Sequence, residues 1–477
     1  MAVSRIFLWL GYGVLFFASL MFLTALFGVL SNEFTAAEVF FELSCLTGIV
    51  GAIISIAARN APKKESTREA LVFLFVFWLL MPFVACLPYV ALQNTPNLAY
   101  AYFEAVSALT TTGASTLTAE NLPDSLLLWR SLLQWSGGVI VAIFAVVILA
   151  ALNLSGTGVH RSLLFTLKKG ELFSRFLEIG RIISFVYFVI SFVCFVLLSL
   201  FGTPLFEALC LSLSAISTGG LTPRSGTLHT YVSNIGGIVL ALTCLLGAAN
   251  VSIIWDVMRR RNLGKFFESF INVEHRGTFV IVGGLVLVGF FYTGFVHLHT
   301  IIVESVFIAT TTGFDYHVIG IDILPPSLLI AIVLIGGSAL STAGGVKIIR
   351  MLLLMRHLKT DLNRMSHPSR VMPVRFQGQT IEDKAFLSIW MYFFGYTLVF
   401  AFGIIALGAA GLDFTYAVSA CAAALSNTGP LLETTYPELA YADMNPLVLT
   451  ILTIIMLLGR IEVLAAFAVI SPSLWKT

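Results

Sequence analysis

Long apolar segments constrain the fold of this chain more than any other feature of its sequence. Ten of them are long enough to cross a hydrocarbon core of about 30 Å as helices, which takes roughly 20 residues each. Only 11% of the 477 residues are charged, whereas an average soluble domain has about 25%. The sequence therefore predicts an all-α integral membrane protein and argues against a soluble enzyme. The ten predicted spans are residues 6–30, 37–57, 70–92, 126–153, 178–201, 232–257, 278–298, 327–355, 385–410 and 446–470.

Four further apolar stretches are too short to cross a membrane. Each lies between two full spans and ends in Ser, Thr or Asn followed by Gly. A short apolar helix that ends in a polar turn indicates a re-entrant segment, whose backbone must face protein or a water-filled cavity. The four stretches are residues 99–110, 205–216, 301–310 and 414–426.

The Lys and Arg residues orient the spans. Ten spans place both termini and alternate connections on one side, and nearly all the basic residues fall there; Arg130 and Arg224 fall opposite, and Arg460 lies within the last span. The positive-inside rule therefore predicts that both termini are cytoplasmic. The outer connections are acidic and should concentrate cations, although sorting of positive charge alone would also leave acids outside. The outer acids are Glu104, Glu120, Asp124, Glu207, Glu304, Asp315, Asp322, Asp413, Glu433, Glu438 and Asp443.

The short stretches form a fourfold repeat of about one hundred residues. Aligned on one glycine they read ALTTTGAS, SAISTGGL, IATTTGFD and ALSNTGPL, with Thr before every glycine. This alignment predicts an N-terminal two-helix domain at 1–66 and repeats at 67–160, 161–270, 271–375 and 376–477. The aligned residues are Thr111, Thr112, Gly113, Ser217, Thr218, Gly219, Thr311, Thr312, Gly313, Asn427, Thr428 and Gly429.

A second string supports the alignment of the first two repeats. Phe103-Glu104-Ala105 matches Phe206-Glu207-Ala208, and Val303-Glu304-Ser305 is a looser match. The glutamate lies farther from the aligned glycine in the second repeat, so the second short helix is expected to be one turn longer.

These turns have the chemistry of a K⁺ site. A dehydrated K⁺ needs oxygen ligands, which rings of backbone carbonyls supply in ion pores, and glycine permits the backbone geometry that aims carbonyls inward. Each short helix enters from outside, so its C-terminal end directs about −0.5 charge at the membrane centre. The other interpretation, that Thr-Gly only caps buried helices, is disfavoured by the fourfold recurrence. The hydroxyl and amide side chains expected beside K⁺ are Thr111, Thr112, Ser217, Thr218, Thr311, Thr312, Asn427 and Thr428.

At these residues the chain resembles the superfamily of K⁺ transporters that includes the TrkH, TrkG, KtrB and HKT proteins. The four repeats cover about 67–477, and the spans at 6–57 match the N-terminal domain of the TrkH-type members. The resemblance implies K⁺ uptake across a bacterial inner membrane through a pseudo-tetrameric, K⁺-channel-like pore in a homodimer. The implied partner is a cytoplasmic regulator of the TrkA type, which would bind the nucleotide (ATP, ADP or NAD). No covalently bound cofactor and no nucleic acid partner are implied.

The eighth span contains the run GGSALSTAGGVK, from Gly336 to Lys347. So many small residues should break the helix at mid-membrane, which is acceptable only along a pore; close helix packing is the alternative. The resemblance implies an intramembrane gating loop beneath the selectivity filter. The gate residues expected are Gly336, Gly337, Ser341, Thr342, Gly344, Gly345, Lys347 and Arg460.

Arg460 lies with Glu462 in an otherwise apolar final span. An ionised residue there costs several kcal/mol unless it is paired or hydrated, so it should face the bundle interior. The resemblance implies an electrostatic barrier below the filter, and a structural salt bridge is the alternative.

Two other functional classes remain to be weighed. An alternating-access K⁺ or Na⁺ symporter would also use broken helices, but it favours inverted repeats, whereas these four enter from one side. An intramembrane enzyme would need catalytic motifs, and the sequence contains neither HExxH nor GxSxG, while its six cysteines form no CxxC pair. The chain is therefore not predicted to be an enzyme. The basic segment 356–375 is a candidate docking surface for the regulator.

Overall fold

The structure, a computed structural model, describes most of the chain, and the bundle it shows is almost entirely helical. The described residues are 3–62, 67–93, 95, 97–151, 172–250, 273–316, 324–339, 341–367, 374–376, 379–380 and 383–461.

Two N-terminal helices, α1 (Val3–Leu30) and α2 (Phe34–Ala57), pack against the first repeat. Arg5 forms a buried ion pair with Glu69, at 2.8 Å. Glu33 accepts hydrogen bonds from the backbone nitrogens at the start of the helix that begins at Asp124, the closer at 2.7 Å. A carboxylate is favourable there because the first turn of a helix has unpaired N–H groups.

Four repeats follow, each a long helix, a short helix of 12 residues and a second helix. The first comprises α3 (Thr67–Ala85), continued by α4 (Leu87–Ala91), then α5 (Leu98–Leu109) and α6 (Asp124–Ala151). The second comprises α7 (Leu172–Leu200), α8 (Leu205–Ile216) and α9 (Asn234–Gly247). The third comprises α10 (Val273–Thr293), α11 (Leu298–Ala309), α12 (Pro326–Ile335) and α13 (Ile348–Ser366). The fourth comprises α14 (Asp383–Ala409), α15 (Phe414–Leu425), α16 (Leu431–Thr435) and α17 (Pro446–Ile461).

The prediction of an all-α membrane protein is confirmed. Seven helices in the described part of the chain are long and apolar enough to span a membrane, namely Val3–Leu30, Phe34–Ala57, Arg68–Ala91, Asp124–Ala145, Glu178–Leu200, His275–Thr293 and Phe386–Ala409. The other three predicted spans appear as shorter helices. Of these, α9 ends at Gly247, α12 ends at Ile335, and α17 reaches Ile461, the last described residue.

Exposure in this bundle is the reverse of that in a soluble protein. The long helices expose large apolar side chains such as Phe188, Leu287 and Phe394, whereas the ends of the short helices bury Thr and Ser. An apolar exterior suits lipid, and the buried hydroxyls need partners inside the bundle.

The expected extra turn in the second short helix is absent, since all four short helices have the same length. Glu207 lies in the first turn of α8, whereas Glu104 and Glu304 lie in the middle of α5 and α11. The matching Phe-Glu-Ala strings therefore occupy different turns of their helices, so that prediction was wrong.

Several predicted features lie outside the described residues. They include the repeat boundaries after 66, 160 and 270, together with Glu462, Asp322, Lys476, Arg370 and most of the basic residues between α6 and α7 and between α9 and α10. The boundary after 375 falls in an antiparallel hairpin of β1 (Arg375–Phe376) and β2 (Gln379–Thr380).

Candidate ion-conduction site

The four short helices end in the same local structure, which we name turn 1 (110–113), turn 2 (217–220), turn 3 (310–313) and turn 4 (426–429). In each, the first residue is a Ser or Thr whose hydroxyl donates to the carbonyl four residues earlier. The second residue is left-handed, and the third N–H binds the carbonyl five residues earlier. This is a Schellman-type helix end. The left-handed residues are Thr111, Thr218, Thr311 and Asn427, with φ of 52°, 51°, 55° and 51°.

This geometry corrects the alignment of the second repeat by one residue. Ser217 occupies the helix-end position of Thr110, and Gly219 occupies the position of Thr112. The residue equivalent to Gly113 is therefore Gly220, whose φ of 78° is close to the 84° of Gly113. The two adjacent glycines in STGG made the string ambiguous. Aligning on the second glycine would have placed a hydroxyl residue at every helix end. The spurious extra turn had a separate cause, because Glu207 does not occupy the helix position of Glu104.

The four turns close into a ring through backbone contacts between repeats. The carbonyl of Thr112 accepts a hydrogen bond of 2.6 Å from the nitrogen of Gly429. A Cβ added to Gly113 would overlap the carbonyl oxygen of Gly219, and one added to Gly220 would overlap that of Thr312. Glycine is thus required at these two positions because a neighbouring carbonyl occupies the space of a side chain.

Buried glutamates anchor the chain that leaves turns 1 and 3. Glu104 accepts hydrogen bonds from the hydroxyls of Ser115 and Thr116 and from the backbone of Thr116. Glu304 accepts one from the backbone nitrogen of Tyr316, the position equivalent to Thr116. These two acids therefore lie behind the ring and not at the mouth, where the sequence placed them.

We call the side on which the short helices begin the outer face, following the predicted orientation. There the ring opens into a vestibule of about 350 Å³ lined by Gly113, Gly220, Gly313, Asp315 and Glu433 among others. Two of the predicted outer acids, Asp315 and Glu433, line it, whereas Glu207 is buried in α8.

On the other side of the ring lies the run 336–347, named here the intramembrane loop. The helix breaks at Gly336, as predicted, with φ of 76°, and the chain turns back so that Val346 N and Lys347 N donate to the carbonyls of Leu334 and Ile335, both at 2.9 Å. Lys347 donates to the carbonyls of Ser341, at 3.2 Å, and of Ala343, so its ammonium group stabilises the folded-back loop.

The intramembrane loop and Arg460 bind the ring from below. Gly344 N donates to the hydroxyl of Thr311 at 2.8 Å, and the hydroxyl of Thr218 donates to that of Thr342 at 3.2 Å. Arg460 donates to the carbonyl of Thr342 at 2.6 Å and to the hydroxyl of Thr111. Each left-handed threonine of turns 1 to 3 therefore contacts either the intramembrane loop or Arg460.

The fourth left-handed residue is bound differently. Asn427 donates to the hydroxyl of Thr112 at 2.9 Å and to the carbonyl of Met456 at 3.1 Å. Its Oδ1 is buried and has no hydrogen-bond partner among the described residues, so an oxygen remains free at the ring.

Arg460 is buried, with 6% of its surface exposed, and its hydrogen bonds in the described part of the chain go to oxygens of the ring and the loop. The alternative of a salt bridge is not seen among those residues. A cavity of about 30 Å³ is lined by Arg460, Lys347, Trp78 and Tyr392 among others. This volume holds only a few water molecules.

Known proteins resemble this chain in sequence and in fold. A family profile described as cation transport protein, TrkH, covers residues 36–476. The Trk system potassium uptake protein TrkH of Salmonella typhimurium is 30% identical over 100% of this chain and 99% of its own length. TrkG of Escherichia coli K12, also a Trk system potassium uptake protein, is 29% identical over 86% of each chain.

The fold matches a solved structure over its full length. The crystal structure of the potassium transporter TrkH from Vibrio parahaemolyticus superposes with a TM-score of 0.89, at 27% identity and covering 100% of both chains. These relatives are transporters and not enzymes. The chain belongs to the TrkH family of cation transport proteins.

Proposed function

We propose that this protein takes up K⁺ across a bacterial inner membrane, with both termini in the cytoplasm. Ions would enter the vestibule, lose water at the ring and leave past the intramembrane loop and Arg460. The filter residues are those of the corrected register: Thr111, Thr112, Gly113, Thr218, Gly219, Gly220, Thr311, Thr312, Gly313, Asn427, Thr428 and Gly429.

The observation that carries this proposal is the ring itself. The C-terminal ends of the four short helices share a left-handed second residue, and each turn contacts the next one around the ring. Carbonyl and hydroxyl oxygens are hard ligands that replace the hydration shell of an alkali cation. The names of the relatives point to K⁺ as that cation. Four alike turns favour one continuous pore over alternating-access symport of K⁺ or Na⁺, which typically uses inverted repeats.

The filter is tested by Gly113→Ser in a K⁺-uptake-deficient bacterium. The added side chain meets the Gly219 carbonyl, so we expect weaker discrimination of K⁺ over Na⁺ in ion uptake. The matched control is Gly283→Ser, because Gly283 in α10 has no neighbouring atom within 4 Å of an added Cβ. Unchanged relative uptake of K⁺ and Na⁺ in the Gly113 variant would count against the filter.

The intramembrane loop and Arg460 are proposed as the gate, because they bind three of the four turns and leave only a small cavity. Arg460→Gln removes the charge and weakens the contacts with Thr111 and Thr342, so K⁺ flux through the regulator-free protein in liposomes should rise. Arg364→Gln, which changes an exposed intrahelical pair with Asp361, should leave that flux as it is. An equal or lower flux in the Arg460 variant would reject the gate.

We further propose that the protein is a homodimer and that a nucleotide-binding regulator of the TrkA type docks on the segment 356–375. The described part of this segment belongs largely to α13, which begins directly after the intramembrane loop. His357 lies in the middle of this helix, Arg364 in its last turn and His367 just beyond its end. A force on α13 would therefore reach the gate directly. Growth on low K⁺ with and without such a partner tests this; equal growth would reject the dependence on a regulator.

A further inference from the structure

One position of the ring differs between the repeats. Turns 1, 3 and 4 carry a threonine at their third residue, and its hydroxyl binds the hydroxyl two residues earlier, at 2.7, 2.9 and 3.1 Å. This contact ties each turn to the end of its own short helix. Turn 2 has Gly219 at that position and cannot form it.

A side chain from another repeat fills the space at Gly219. A Cβ added to Gly219 would lie 2.5 Å from Nε2 and 2.7 Å from Oε1 of Gln134. Gln134 is fully buried, with 0% of its surface exposed, and its Nε2 donates a 2.6 Å hydrogen bond to the Gly219 carbonyl. The Oε1 atom has no hydrogen-bond partner within the described ranges.

One turn beyond Gln134, helix α6 packs closely against the ends of two short helices. A Cβ on Gly137 would overlap the Leu109 carbonyl at the end of α5, and one on Gly138 would lie 2.9 Å from Cβ of Ser217 at the end of α8. The helix is thus wedged between two short helices, and this close packing fixes the height at which Gln134 meets turn 2.

We propose that Gln134 is a positioning residue of the filter. Its carboxamide replaces the threonine side chain that turn 2 lacks, and its hydrogen bond holds the Gly219 carbonyl in the orientation that the ring requires. Selectivity for K⁺ over Na⁺ at turn 2 then depends on a side chain of the first repeat. This inference rests on the proposed filter.

The first test is Gln134→Leu, which keeps the approximate volume but removes the donor. Loss of one buried hydrogen bond should lower discrimination of K⁺ over Na⁺ by roughly tenfold, with a higher KM for K⁺ and an unchanged amount of protein in the membrane. If this variant keeps wild-type discrimination while Gly113→Ser changes it, the role of Gln134 is overturned. If neither variant changes discrimination, the filter proposal itself fails.

The second test exchanges the two residues, so it does not depend on any single variant being fully stable. Gly219→Thr alone places its side chain on Gln134 and should abolish selective uptake. Combined with Gln134→Ala, the threonine gains that space and can bind Ser217, as in the other turns, so selectivity should return toward wild type. A double variant no better than Gly219→Thr alone would overturn the inference.

Discussion

The first and third repeats anchor the chain beyond their turns with the same residue, whereas the second and fourth use different ones. In the first and third, a buried glutamate in the middle of the short helix binds the backbone twelve residues later: Glu104 to Thr116 and Glu304 to Tyr316. These two repeats also share the sequence Thr-Thr-Thr-Gly.

The second and fourth repeats anchor the same stretch by other contacts. In the second, Glu207 pairs with Arg224, and Glu120 of the preceding repeat accepts hydrogen bonds from Ser225. In the fourth, the hydroxyl of Tyr441 donates to the Gly429 carbonyl at 2.8 Å.

The difference shows which part of the repeat is constrained. The first three residues of the turn have the same backbone in all four repeats, and only the fourth residue differs, because Gly429 is not left-handed whereas Gly113, Gly220 and Gly313 are. The anchors behind it need only satisfy buried polar groups, which several side chains can do. A pseudo-fourfold backbone is therefore supported by four sets of side chains, two of them alike.

The largest effect is expected from Gly113→Ala, and it is compared with that of Gly313→Ala. Both glycines have positive φ, so alanine costs roughly 1 to 2 kcal/mol of backbone strain at either position. At Gly113 the new Cβ also overlaps a backbone carbonyl, whereas at Gly313 its nearest atom is the methyl carbon of Thr428, at 3.2 Å. Discrimination of K⁺ over Na⁺ in uptake should be nearly lost after the first change and only reduced after the second. Equal losses of discrimination in the two variants would show that the carbonyl overlap at Gly113 is no more disruptive than the methyl contact at Gly313.

A smaller effect is expected from Glu104→Gln and Glu304→Gln. Each replaces the carboxyl acceptor at a buried site with an amide and should lower the free energy of unfolding by about 1 to 3 kcal/mol. Thermal unfolding of the purified protein measures this. The comparison is Glu207→Gln, whose partner Arg224 has a half-exposed side chain, so about 0 to 1 kcal/mol should be lost. An equally large loss of unfolding free energy in the Glu207 variant would show that the glutamate of the second repeat is as important an anchor as those of the first and third.

In the fourth repeat, Tyr441→Phe removes one hydrogen bond to the ring without changing its packing. The cost should be about 1 kcal/mol, seen as a severalfold loss of K⁺ over Na⁺ discrimination in uptake assays. The control is Tyr436→Phe, which keeps the edge-to-face contact between the aromatic side chains of residues 436 and 416. Wild-type discrimination in the Tyr441 variant would mean that the fourth repeat needs no such anchor.

The smallest effect concerns pH at the vestibule. Protein surrounds Glu433 on most sides although the side chain is exposed to the vestibule, and the loss of hydration raises the pKa of this carboxyl. As the external pH falls, Glu433 therefore loses its charge at a higher pH than an ordinary glutamate, and the KM for K⁺ should rise. Glu433→Gln should remove this dependence and Glu438→Gln should keep it. A KM that follows pH equally in both variants would exclude Glu433.

By itself the sequence indicated seven of the ten spans at full length and the location of the four turns. In lipid the backbone must satisfy its own hydrogen bonds, so hydropathy marks the helices directly. The end of each short helix is also a local structure, formed within six residues, so a short string predicts it. The one error of register arose where two adjacent glycines, Gly219 and Gly220, made that string ambiguous.

Tertiary structure alone decided which side chains meet at the ring. Arg460 reaches Thr111, Gln134 reaches Gly219, and Asn427 reaches Thr112, although each pair is far apart in sequence. The buried location of Glu104 and Glu304 was likewise invisible in the charge pattern, which placed them at the mouth. Such contacts depend on the relative height and rotation of packed helices. Close packing at residues such as Gly137 and Gly247 sets these, and apolar periodicity does not specify them.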